Sequence, residues 1–131
     1  MYLIDSNIIL ELLLDRGKSG EVERFLQKIH QEELFITEFS FYSIGIYLIQ
    51  RKMSNVFMEM VQDLFINGEV QQIRLRPEDM DALVKASNEF SLDFDDAYQY
   101  VASEKYNLTI VSLDADFDRT PNGRKKPDEL I

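Results

Sequence analysis

The sequence predicts a three-layer α/β/α fold around a central parallel sheet of four or five strands, and three observations carry that expectation. Short apolar runs alternate with segments whose apolar residues recur at helical spacing. Two of these runs lead directly into an aspartate, Asp5 and Asp114, which would stand at the carboxyl edge where such sheets bind ligands. No repeat, linker or low-complexity stretch interrupts residues 1–131, so a single domain is expected.

Each element has its own local cause. YLI at 2–4 is a strand ending at Asp5, and SNIILELLL continues as a helix with Ser6 or Asn7 near its cap until Asp15, Arg16 and Gly17 break it. A second helix begins near Ser19 with Val22, Phe25, Leu26 and Ile29 on one face, and LFIT at 34–37 is the second strand. From Glu38 to about Lys52 the chain is apolar nearly all round, which predicts a helix buried in the middle of the fold. Ser40, Ser43 and Tyr47 form its one polar stripe.

Ser54 is a candidate cap for a helix carrying Phe57, Met60, Val61, Leu64 and Phe65, with Asn67-Gly68 as its end and VQQIRL at 70–75 as the third strand. Pro77 suits the first turn of the next helix, whose buried face is expected to be Met80, Leu83, Val84, Ser87 and Phe90. A helix from about Asp95 then leads to the fourth strand, LTIVSL at 108–113, and the turn-rich tail from Thr120 is a place for a short edge strand. Right-handed connections between parallel strands put helices on both faces of the sheet.

Composition removes several kinds of chemistry. The chain has no cysteine, so disulfides, thiolate zinc sites and thiol nucleophiles are excluded. Its one histidine, His30, ends an amphipathic helix with no serine or aspartate motif beside it and is expected in solvent. Neither a G-x-x-x-x-G-K-[ST] nor a G-x-G-x-x-G phosphate cradle occurs. The N-terminus has no signal-peptide pattern, and no apolar run approaches the ~20 residues that cross a bilayer. A cytoplasmic location away from membranes is the default expectation.

The chemistry-bearing residues are Asp5, Asp96 and Asp114. Phosphodiester hydrolysis needs a strong nucleophile and a sink for developing negative charge, and hard cations held by converging carboxylates supply both. Ordinary structural readings exist for each acid: Asp5 as a helix cap, Asp95 and Asp96 as first-turn acids, Asp114 as a turn residue. The run Asp114-Ala115-Asp116-Phe117-Asp118 imitates the start of a calcium-binding EF-hand, but Arg119 and Lys125 stand where that loop needs glycine and glutamate. Asn7 stands where a D-x-D phosphatase strand end needs its second acid, which weakens a third reading as a metal-dependent phosphatase. A net charge of −10, from 24 acids and 14 bases, opposes phosphate binding unless a cation neutralises part of the excess or a basic protein partner faces it.

Taken together, LIDSNIIL at 3–10 and DDAYQYVASEKYNLTIVSLDADF at 95–117 resemble the D-[ST]-N junction and the D-A … A … L-V-T-x-D-x-D-F block of the PIN-domain family, the fold of VapC-type toxin ribonucleases. The resemblance implies a PIN-like fold with Asp5, Asp96 and Asp114 as catalytic metal ligands and Asp116 as an auxiliary acid. It further implies that Asn7 or Ser6 orients Asp5 and that Ser112 helps to hold Asp114. One position departs from the pattern S-x-x-T-x-x-E-L: Ser43 replaces the glutamate of the third helix, with Glu38 as a substitute from another direction and Glu11 a remoter one.

The leading expectation is a Mg²⁺- or Mn²⁺-dependent endoribonuclease that hydrolyses RNA with an activated water, as the toxin of a toxin–antitoxin pair. Arg119, Arg124, Lys125 and Lys126 are the weaker candidates for RNA binding. The alternative is a catalytically weakened PIN-like module that binds a protein or RNA partner. An antitoxin and a homodimer are the partners the resemblance implies.

Overall fold

The computed structural model describes residues 1–131 in full. Four strands, β1 (Tyr2–Ile4), β2 (Leu34–Thr37), β3 (Gln71–Ile73) and β4 (Thr109–Val111), form one parallel sheet in the order β3-β2-β1-β4. The chain moves outward from β1 through β2 to β3 and then returns to the opposite side of β1 for β4. That reversal opens a crevice between the carboxyl ends of β1 and β4, where Ile4 pairs with Val111 and the Asp5 N–H donates to the Val111 carbonyl at 3.0 Å. The tail adds one further bridge, Val111 to Lys125, with Ser112 N–H donating to the Lys125 carbonyl and Lys125 N–H to that of Ile110.

Helices cover both faces because adjacent strand residues point in opposite directions. Leu3 and Ile110 enter a core with Leu83, Ala97 and Val101, whereas their neighbours Ile4 and Val111 enter a second core with Ile8, Phe25, Ile44 and Leu48. The first core is roofed by α5 (Met80–Phe90) and α6 (Phe94–Tyr106). The second is roofed by α1 (Ser6–Leu13), α2 (Ser19–Lys28), α3 (Glu38–Gln50) and α4 (Ser54–Met60). A π-helical turn over Val61–Ile66 extends α4 to its Asn67 cap. His30 is exposed, and no helix is long and apolar enough to cross a membrane.

Three details depart from the sequence reading. The third helix is not buried all round: Ile44 and Leu48 face the core, but Tyr42, Ile46 and Ile49 are exposed, because no element packs over that side. On α5 the buried pair is Leu83 and Ala86, and Val84 turns to solvent. Ser54 makes no side-chain cap; Met53 occupies the cap position and Ser54 is the first helical residue.

Candidate active site

Each acid in the crevice is aimed by the local structure of its own segment. Asp5 follows β1 in extended geometry and caps α1, its Oδ1 accepting the Ser6 N–H at 2.8 Å. Its other oxygen, Oδ2, accepts from the Ser112 hydroxyl at 2.6 Å. Ser112, fully buried just past β4, ties the two strand ends together: its Oγ also accepts the Asp114 N–H at 2.9 Å and the Asn7 amide at 3.2 Å. Asn7 Oδ1 in turn accepts the Leu113 N–H at 3.2 Å. Ser6 therefore meets Asp5 through its backbone, while Asn7 reaches it through Ser112.

Asp114 caps the short turn that follows β4, with Oδ1 accepting the Asp116 N–H at 2.9 Å. Asp96 lies in the first turn of α6 and is only 9% exposed. Carboxylate oxygens of Asp96, Asp114 and Asp116 lie within 4.8 Å of one another. Asp5 stands outside that trio but shares a second wall with Asp96, in a cavity of about 70 Å³ closed by Phe39, Ser40 and Ser43 of α3 and by Asp95 and Gln99 of α6. Asp96 belongs to both groupings, so the acids form one continuous patch.

Electrostatics show what this crowding costs. Burial pushes the Asp5 carboxyl up to about 6, against hydrogen bonds from Ser112 and Ser6 that pull it down, and the charges of Asp114 and Asp95 push it further. Asp96 is raised to about 7, again by burial first and then by the charges of Asp114, Asp95 and Asp5. Closely spaced hard oxygen donors whose ionised forms destabilise one another fit a divalent cation, which neutralises them together. Asp96, Asp114 and Asp116 are the residues placed to hold such an ion, with Asp5 beside them.

The other predicted residues fall into two groups. Ser43 lines the cavity, so no charge reaches that wall from α3; Glu38 starts α3 but is not part of the cavity. Glu11 is occupied elsewhere, accepting the Lys18 N–H at 2.9 Å. Arg119 is committed to Asp116 at 2.9 Å and to the Ser91 carbonyl, and Arg124 to Asp118 and the Ser112 carbonyl. Lys125 and Lys126 are exposed and make no ion pair. Asp95 and Gln99 escaped the sequence reading as site residues; the acid doublet at a helix start was the visible signal for the first, and nothing marked the second.

The geometry agrees with wider comparisons. No curated protein matches the chain by sequence. Among solved structures, VapC20 of Mycobacterium tuberculosis, described as a sarcin–ricin-loop-cleaving toxin, superposes with a TM-score of 0.81 at 11% identity, covering 97% of this chain and 100% of that one. A toxin–antitoxin complex from Klebsiella pneumoniae gives 0.77 at 16% identity over 97% and 98% of the two chains, and FitAcB from Neisseria gonorrhoeae gives 0.76 at 18% over 97% and 98%. At such identities these likenesses speak for the fold. The family model of the PIN domain matches residues 2–123, nearly the whole sequence, and the chain therefore belongs to the PIN-domain family.

Proposed function

We propose that this chain is a metal-dependent endoribonuclease and the toxin of a toxin–antitoxin pair. The carrying observation is the meeting of Asp96 from the start of α6 with Asp114 and Asp116 from the turn after β4, beside a buried Asp5 from the other end of the chain. Separate helix caps and turns have no reason to converge. A bound Mg²⁺ or Mn²⁺ would neutralise phosphate charge and lower the pKa of water there. The Ser112–Asn7 network would hold Asp5 and Asp114 at fixed positions beside that ion.

RNA meets this patch along an aromatic rim. Phe94 is exposed and lies 5.8 Å from the ring of Phe39, which closes the cavity. An exposed ring beside the acids offers a base a stacking face that needs no positive charge. Lys125 and Lys126 supply the remaining unpaired charge for the backbone. For the antitoxin, the groove beneath the uncovered side of α3, flanked by Tyr42, Ile46, Ile49 and Phe57, offers an apolar seat. One of the compared structures is a toxin–antitoxin complex by description, which supports that partner.

The second reading, a catalytically weakened module, is favoured by the uncharged Ser43 wall and by the pairing of Arg119 and Arg124 with the chain's own acids. Cleavage of RNA with Mn²⁺ or Mg²⁺ by the purified chain, lost in Asp5→Asn and in Asp96→Asn, supports the nuclease. RNA binding without cleavage, and no Mn²⁺ uptake by calorimetry at millimolar concentration, selects the module.

A further inference from the structure

The cavity between α3 and α6 contains a polar group that neither the fold nor the acids explain. Gln99 is 2% exposed, and its Nε2 is the only buried side-chain nitrogen or oxygen without a hydrogen-bond partner. Thr37 Oγ1 accepts the Ser40 N–H at 3.0 Å and donates its own proton to Gln99 Oε1 at 2.8 Å, which leaves Nε2 as the unpaired end of the amide. Leaving a buried donor unpaired is destabilising, so the position calls for an explanation beyond packing.

Gln99 lines the cavity together with Asp5, Asp95, Asp96 and Ser43. Its volume of about 70 Å³ has room for roughly two waters, each taking about 30 Å³ in the liquid. The ionised carboxylates there can accept a water's protons but cannot donate to its oxygen. Gln99 of α6 brings an unpaired amide donor to that cavity, beside the hydroxyls of Ser6, Ser40 and Ser43.

We propose that Gln99 is a positioning residue that holds the water attacking the phosphodiester. This rests on the nuclease reading. The Nε2–H bond occupies one lone pair of the water and leaves the other directed at phosphorus, in the way a glutamine can orient an attacking water in other phosphoryl transfers. A carboxylate of the cavity takes the water's proton. The oxygen forms its bond to phosphorus as the P–O3′ bond breaks, and O3′ takes a proton from solvent, leaving a 5′-phosphate and a 3′-hydroxyl. With Ser43 bringing no charge, α3 acts on the water by hydrogen bonding.

Gln99→Met keeps the volume and removes the donor. Its expected result is a kcat per folded molecule lowered about 100-fold, with KM and Mn²⁺ affinity each within about twofold of wild type. A residue with a purely structural role would keep its kcat per folded molecule, whatever the loss of the Thr37 bond does to the melting temperature. Unchanged kcat in Gln99→Met, or a loss confined to KM or to Mn²⁺ affinity, overturns the proposal while leaving the nuclease reading standing. A wild-type chain that binds Mn²⁺ but does not cut RNA overturns both. Independently of turnover, a crystal structure grown with Mg²⁺ should show an ordered water within hydrogen-bonding distance of Gln99 Nε2, and an amide turned to another protein atom there would overturn the assignment.

Discussion

Helices α3 and α6 are both 13 residues long and both line the acidic cavity, yet composition and burial run in contrary directions in the two. Helix α3 is the more apolar, but Tyr42, Ile46 and Ile49 stand in solvent. Helix α6 reads as an ordinary mixed helix, but every residue from Asp96 to Ser103 is buried. The cause lies in what surrounds them. Helix α6 is enclosed by α5, β4 and the turn after β4, with Tyr98 reaching out to accept the Leu75 N–H beyond β3. Helix α3 has the sheet, α1 and α4 on one side and nothing on the other. The polar residues in α6 are retained at a cost that apolar ones would not carry, whereas the apolar surface of α3 is left uncovered. On the proposed function, α6 serves chemistry and α3 association.

The largest effect is expected on α6. Asp96→Asn should lower RNA cleavage by about 10³-fold or more, since stabilisation of transition-state charge by a cation is worth several kcal/mol. The same substitution should raise the melting temperature in chelator at pH 7–8, because it removes a carboxylate that burial and three neighbouring acids disfavour. A variant that lost both activity and stability would erase the distinction between the helices.

Within α3 the two sides should separate by stability. Leu48→Ala opens the core and should cost about 2–5 kcal/mol in denaturant unfolding, while Ile46→Ala should stay within about 0.5 kcal/mol. Ile46→Glu should leave cleavage intact and weaken binding of the cognate antitoxin or self-association. Equal stability costs at 46 and 48 would mean that the outer side of α3 is covered within the folded chain. A smaller effect is expected from Ser43→Glu, which brings α3 a charge that only α6, β1 and β4 now supply. Mn²⁺ affinity by calorimetry should rise about tenfold, or 1.4 kcal/mol.

What the sequence made legible follows from how local each cause is. Asp5 and Asp114 were visible because an apolar run that stops on an aspartate is a strand end, and a parallel sheet collects strand ends on one edge. β2 and β3 were readable as short apolar or alternating runs between helical patterns, although β3 and β4 proved shorter than the runs that announced them. The bare side of α3 was not legible, because hydropathy reports what a helix can bury and not whether a neighbour arrives to bury it against. Gln99 was hidden by the converse problem: an amide in a mixed helix looks solvated until Thr37 and the cavity enclose it. The commitment of Arg119 and Arg124 to nearby acids weakens their case as RNA contacts, and only the tertiary path of the tail reveals it.

The most modest effect tests whether the crowded acids behave as one electrostatic unit. Asp5 and Asp96 hold their protons more tightly in the folded chain, at about 6 and about 7, than at the unfolded value of 3.8. Between pH ~4 and ~7 the folded state thus binds protons that the unfolded state has released, and stability must fall as pH rises through that window. Asp79, held below its ordinary value by Lys105, has the opposite sign and acts only at still lower pH. In chelator, the melting temperature should drop by at least several degrees from pH 5 to pH 7.5. Saturating Mn²⁺ should remove most of that drop, since the ion stabilises the ionised form that the folded chain otherwise resists. The Asp5→Asn/Asp96→Asn pair should flatten the profile without metal. A wild-type profile that is flat or rises over this range would show that the carboxylates ionise independently, and the buried start of α6 would then be no more strained than the solvated side of α3.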